Sequence, residues 1–263
     1  MATLRIDGTR IHLLDRGRGP AVVLLHAFPL SGEMWRPQID ALADRFRVLA
    51  PDLPGFGRSP PARGPVSMAS FAELSLGLLD AVGVPEAAVV GLSMGGYVAL
   101  ELQALAPQRV RALVLSDTRA HADTADARKA REAIAAAVED EGSTQPIVER
   151  MLPSLLSSAA PAKLRSEVER LAADASTEGA AAALRAMARR RDFTGELGRI
   201  GCPTLVMVGL GDALSPPAEM QGLAEAIPGA ALERIAGAGH LANLEQPARF
   251  NAALGRFLDQ LAG

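Results

Sequence analysis

Short apolar runs recur along this chain, and most are followed by a glycine- or proline-bearing turn and a longer helical stretch. AVVLLH (21–26), RVLAPD (47–52), AAVVGL (87–92), VRALVLSD (110–117) and PTLVMVG (203–209) are continuous in polarity rather than alternating. Continuous apolar runs of this length are what strands buried on both faces require. That property restricts the chain to a sheet with helices packed against each side. AALERIAG (230–237) reads as a weaker last strand, and LRI and RIHLLD flank Asp7-Gly8, a hairpin signal.

Helical stretches separate the strands. One is predicted to start at Ser70, with Glu73 at capping-box spacing, and to stop at Gly83. Others run from Met94 to about Ala106, from Pro216-Pro217 to near Pro228-Gly229, and from Pro247 onward. Alternation at this spacing makes βαβ units and a mainly parallel, eight-stranded sheet with helices on both faces, an α/β class fold. Residues 119–194 break the rhythm with helical segments and no strand, such as ADARKAREAIAAAVEDEG and AKLRSEVERLAADAS. The insertion is too long for a plain connection. The expected organisation is a core of 1–118 and 195–263 with a helical lid of 119–194 over the C-terminal edge of the sheet, where open α/β sheets bind ligands. The arginines at 189–191 are expected to form a solvated helix end.

VVGLSMGGYVAL (89–100) carries the chemistry. It is a G-x-S-x-G spacing, with Gly91 and Gly95 each two residues from Ser93, at the junction of a strand and a helix. A sharp strand-to-helix turn crowds the backbone, and small neighbours relieve the crowding. The turn lifts the Ser93 hydroxyl clear of the sheet and leaves the first helical N–H groups unpaired. The N–H of Met94 can then donate to an oxyanion. A serine hydroxyl needs a base, and the base needs an orienting acid. His240, in GAGHLANLEQP between the last strand and the last helix, is the candidate base. His12 is expected on the surface of the hairpin, His121 in solvent at the start of the lid, and His26 in a structural role after AVVLLH. Two acids compete, Asp212 in VGLGDALSPP and Asp117 in VLSDTRA. Asp212 is favoured because its loop neighbours that of His240, which leaves Asp117 to anchor the lid by pairing with Arg119. Asp52 is expected to fix a loop turn. The second oxyanion donor is expected to be the backbone N–H of Phe28 in HAFP, because Pro29 has none.

HAFP, DLPGFGRS, GLSMGG, GLGDALSPP and GHLANLEQP, with Ser, Asp and His in that order, resemble the α/β-hydrolase superfamily over essentially the whole chain. Ala27 stands where that family usually has glycine. The resemblance implies the α/β-hydrolase fold with a helical lid. It is strongest to small cytoplasmic carboxylesterases, enol-lactonases and cofactor-free haloperoxidases. Haloalkane dehalogenases and epoxide hydrolases are similar but use an aspartate where Ser93 stands.

The expected activity is hydrolysis of carboxylic esters of small to medium, mainly apolar substrates through an acyl-enzyme, with Met151 and Met187 among the lid residues of an apolar pocket. The alternatives are a lactonase (3-oxoadipate enol-lactonase-like), a haloperoxidase or perhydrolase, or a non-catalytic binding protein on the same fold. GLSMGG lacks the lysine and the spacing of a phosphate-binding loop. A net charge of −3 gives no global basic field for nucleic acid. The single cysteine, Cys202, excludes an internal disulfide and any multi-cysteine metal site. No cofactor or metal is expected. MATLRIDGTRIHLLDRG contains no apolar signal region, and the apolar runs fall far short of the roughly 20 residues of a membrane helix. A soluble, cytoplasmic protein with a small-molecule ester or lactone substrate is expected, its oligomeric state open.

Overall fold

The computed structural model describes residues 2–261. β1 (Ala2–Ile6) and β2 (Thr9–Arg16) form a hairpin on Asp7 and Gly8, both at positive φ (46° and 80°), as a two-residue turn between twisted strands demands. The chain continues through β3 (Ala21–Leu25), α1 (Arg36–Leu42), β4 (Arg47–Pro51), α2 (Met68–Ala81), β5 (Ala87–Leu92), α3 (Met94–Leu105) and β6 (Val110–Ser116). Then come α4 (Ala125–Glu141), α5 (Gln145–Met151), α6 (Ala162–Ala173) and α7 (Thr177–Ala188) with no strand between them. β7 (Thr204–Gly209), α8 (Pro217–Ala226), β8 (Ala231–Ile235), the short α9 (Ala242–Glu245) and α10 (Pro247–Asp259) complete it.

The eight strands lie in the order β1-β2-β4-β3-β5-β6-β7-β8. β1 and β2 are antiparallel to their neighbours, and every other pairing is parallel. The continuous apolar runs have their explanation in two cores. Val23, Val89, Leu113 and Val206 point to one face, against Phe71 and Leu78 of α2, Val98 of α3 and Met220 of α8. Their strand neighbours Val22, Val90, Val114 and Met207 point to the other, against Ile39 and Leu42 of α1 and Phe250 and Leu254 of α10. The register pairs Leu25 with Gly91, Leu92 with Ser116, Ser116 with Met207 and Gly209 with Ile235. The strands therefore end together, and the loops that follow them meet at one edge.

Several local expectations need correction. α2 is capped by Ser67, not Ser70: the Ser67 and Ser70 side chains and backbone N–H groups satisfy each other reciprocally, and Glu73 takes no part in the cap. α1, about two turns long, is absent from the sequence reading. His12 is buried rather than on the surface, because β2 pairs with β4 and brings its Nδ1 within 2.9 Å of Asp52 Oδ2. Asp52 does fix a turn, accepting from the N–H groups of Gly32 and Arg58. The arginine run is a solvated helix end only in part: Arg189 and Arg191 are exposed, but Arg190 is buried on Asp123 (2.5 Å) with its guanidinium 4.2 Å from the centre of the Tyr97 ring.

α4 and α7 pack together through Ile134, Ala135 and Val138 against Ala180, Ala183 and Leu184. Arg185 reaches across to Glu132 and Glu139. The segment is tied to the loop after β4, where the Ser176 N–H donates to the Gly55 carbonyl (2.8 Å). Only glycines fit that approach, because a Cβ on Gly55 would lie 2.4 Å from the Gly179 Cα. No helix among the described residues is long and apolar enough to cross a membrane.

Candidate active site

Ser93 sits between β5 and α3 at φ 55° and ψ −115°, a backbone region that a side chain makes costly. The surroundings hold it there. Its N–H donates to the Ser116 carbonyl (3.0 Å), and its own carbonyl accepts from the Gly96 N–H and the Thr118 hydroxyl. The flanking glycines answer to contact rather than flexibility: a Cβ on Gly91 would lie 2.2 Å from the Gly95 oxygen, and one on Gly95 would lie 2.0 Å from the Leu25 oxygen. Met94 opens α3, so its N–H has no acceptor within the helix.

Ser93 and His240 line one cavity of about 90 Å³, walled by Phe28, Tyr97, Leu214 and Ser215 from the sheet edge and by Arg131, Met151, Leu155 and Met187 from the helical segment. Arg119 completes the wall. Phe28, joined to Pro29 by a cis peptide, lies at the start of the loop after β3. Ala27 is not at positive φ, so alanine is accommodated where the related pattern has glycine.

His240 is 3% exposed, and its Nδ1 lies 2.8 Å from Asp212 Oδ2. Asp212 also accepts from the N–H groups of Leu214 (2.8 Å) and Ser215 (3.0 Å). Burial works to raise the Asp212 carboxyl, but the hydrogen bond and charge of His240, with those two backbone donors, hold it below its ordinary value. A carboxylate can only accept, so Nδ1 carries the proton and Nε2 is left with its lone pair free. His26 is excluded as a base. Burial lowers its pKa, its Nδ1 is engaged with the Ala27 carbonyl (3.0 Å), and its Nε2 accepts from the Leu53 N–H (3.0 Å).

Asp117 does not pair with Arg119. It is fully buried at φ 46°, accepting from the Gly209 N–H (2.8 Å), with Ser116 Oγ 2.7 Å away. Burial, and then the negative charge of Asp212, push its carboxyl well above the ordinary value, against the lowering effect of the Gly209 and Ser116 donors. Arg119 instead meets Glu219 (3.2 Å) and the Leu214 carbonyl. Glu219 also takes His121 (2.7 Å), which is half-buried rather than free in solvent. The pocket differs from expectation as well. Met151, Met187 and Leu155 supply apolar wall, but two arginines share it. Arg131 was not singled out in the sequence, because the face that α4 turns inward is set by its packing partner, and Arg119 was expected on Asp117 rather than in the cavity wall. A larger cavity of about 250 Å³ between α3 and residues 193–200 has no serine or histidine in its lining.

The α/β hydrolase fold family model matches residues 20–247. A solved esterase from Thermogutta terrifontis, determined with malate bound, is 37% identical with a TM-score of 0.97 over 100% of both chains. 3-Oxoadipate enol-lactonase 2 of Acinetobacter baylyi is 31% identical over 89% of this chain and 87% of its own. The dihydrolipoyllysine-residue acetyltransferase component of the acetoin cleaving system of Cupriavidus necator is 32% identical over 96% of this chain, which spans 67% of that protein.

Proposed function

The chain belongs to the α/β-hydrolase family, and from that premise we propose that it is a serine hydrolase of small carboxylic esters working through an acyl-enzyme. One observation carries the reading: a serine held on a strained strand-to-helix turn shares a cavity with a histidine whose far nitrogen is bonded at 2.8 Å to an ionised aspartate. In this reading Ser93 attacks the carbonyl, and His240 Nε2 takes its proton and returns it to the leaving alcohol. Asp212 fixes the tautomer and offsets the charge that His240 gains. The N–H groups of Phe28 and Met94 hold the oxyanion. Water activated by the same histidine then releases the acid. The helices of 119–194 act as the lid, closing the cavity with Met151, Leu155 and Met187.

The esterase and enol-lactonase likenesses support ester or lactone chemistry. The two differ only in whether the leaving alcohol stays attached to the acyl group. Replacing Ser93 by alanine should lower kcat/KM for 4-nitrophenyl acetate by roughly four decades or more. Turnover within a factor of ten of the parent would overturn the assignment.

A further inference from the structure

The cavity that holds Ser93 and His240 contains no carboxylate side chain in its lining, yet two guanidiniums, Arg119 and Arg131, stand in its wall. Their counter-charges are oversubscribed. Asp123 is shared between Arg131 (2.6 Å) and Arg190 (2.5 Å). Glu219 is shared between Arg119 (3.2 Å) and His121 (2.7 Å). Neither of these carboxylates lines the cavity. Three arginines thus face two carboxylates, and Arg190 backs the site through the ring of Tyr97, itself a lining residue.

Donor capacity is left over. Arg131 gives Nε to Asp123, its Nη1 meets only the thioether of Met187 (3.6 Å), and its Nη2 has no acceptor among the described residues. On Arg119, Nε is buried beside Glu219 without a well-aligned hydrogen bond, and one Nη reaches the Leu214 carbonyl. Guanidinium donors in the wall of a small cavity are incompletely hydrated, and an anion inside it satisfies both their charge and their hydrogen bonds, planar carboxylates matching their geometry.

We infer that Arg119 and Arg131 form a carboxylate-binding subsite, and that the substrate is a small ester or lactone carrying a second, free carboxylate group. This rests on the serine-hydrolase reading of the same cavity and narrows it. The subsite draws the ionised end of the substrate toward the arginines and leaves the scissile carbonyl for Ser93. A neutral analogue strands the same donors without an acceptor, which penalises it beyond the lost attraction.

The test compares monoethyl succinate and monoethyl glutarate with their isosteric neutral amides, ethyl succinamate and ethyl glutaramate, by pH-stat titration. A lactone bearing a carboxylate, against its primary amide, forms a second arm that separates lactone from open-chain substrates. The wild-type enzyme should prefer the acid to the amide in kcat/KM by about tenfold or more at one of the two chain lengths or in the lactone arm. That preference should weaken at high salt. Arg131→Gln and Arg119→Gln should bring the ratio toward one, chiefly through KM of the acid, and Arg131→Lys should retain part of it. A wild-type ratio at or below one in every arm, with the amide esters turned over, overturns the subsite and leaves the hydrolase standing. A ratio unmoved by both folded glutamine variants also overturns it. Absence of turnover of every ester, including 4-nitrophenyl acetate, overturns the hydrolase reading itself and the subsite with it.

Discussion

Asp117 and Asp212 follow adjacent strands, and what surrounds each carboxyl decides its chemistry. Asp212 has a histidine and two backbone donors, so it is held ionised against its own burial. Asp117 has burial and the negative charge of Asp212, which favour its protonated form. Asparagine resembles the protonated form that burial favours at Asp117 and cannot reproduce an ionised Asp212. Asp212→Asn should therefore cost roughly three to four decades in kcat, whereas Asp117→Asn should stay within about tenfold of the parent in ester turnover. Stability adds an independent sign. A folded-state pKa raised above the ordinary 3.8 gives Asp117 a contribution that is full below that value and is lost as pH climbs toward the raised one. Asparagine has no such loss, so the melting temperature of Asp117→Asn relative to wild type should increase as pH rises above about 4. Asp212 has the opposite sign, contributing above its unfolded value and losing that contribution as pH falls through its lowered one. A melting-temperature difference that is flat or falling with pH would show that Asp117 ionises freely in the fold.

At the scale of the element, the β5–α3 turn trades stability for the position of one hydroxyl. Ser93 holds φ 55° and ψ −115°, where glycine suffers no side-chain penalty. Ser93→Gly should stabilise the protein by about 1 kcal/mol in urea or thermal unfolding while abolishing turnover, and Ser93→Ala should not stabilise it. Equal stability of the glycine and alanine variants would mean that the turn stores no strain. This element was legible because its constraint is local: glycines two residues to either side of a serine after a valine run need nothing beyond the chain to be interpreted. α1 was not, because seven residues beginning Arg36-Pro37 show too few turns for a period to emerge. Ser67 escaped notice as a cap because its partner is another serine rather than the glutamate of the usual signature.

At the scale of the whole molecule, legibility depended on whether a residue's surroundings come from its own segment or from a distant one. The doubly buried strands, the order Ser93, Asp212, His240 and the helical stretch between β6 and β7 could all be read along the chain. The burial of His12 could not, since it follows from β2 lying against β4. The inward turn of Arg131 and the burial of Arg190 also depend on how α4 and α7 face each other and the sheet. The cavity that results is small, about 90 Å³, well below the few hundred Å³ typical of drug-sized ligand sites. kcat/KM should therefore be highest for 4-nitrophenyl acetate to butyrate and fall by about tenfold or more at octanoate. An optimum at octanoate would show that the cavity expands in solution.

The contact between Gly55 and Gly179 has a mechanical consequence. It fastens the start of α7 to the sheet's own loop, with Ser176 N–H on the Gly55 carbonyl. On the other side, the Leu241 N–H donates to the Leu155 carbonyl and the Ser157 N–H to Glu245. A roof bolted on opposite walls cannot swing as a trapdoor without shearing those bonds. Met151, a half-buried unbranched side chain in the cavity wall, can change rotamer without breaking any of those bonds, so access to Ser93 is expected to depend on side-chain rearrangement and a guest's girth rather than on a swing of whole helices.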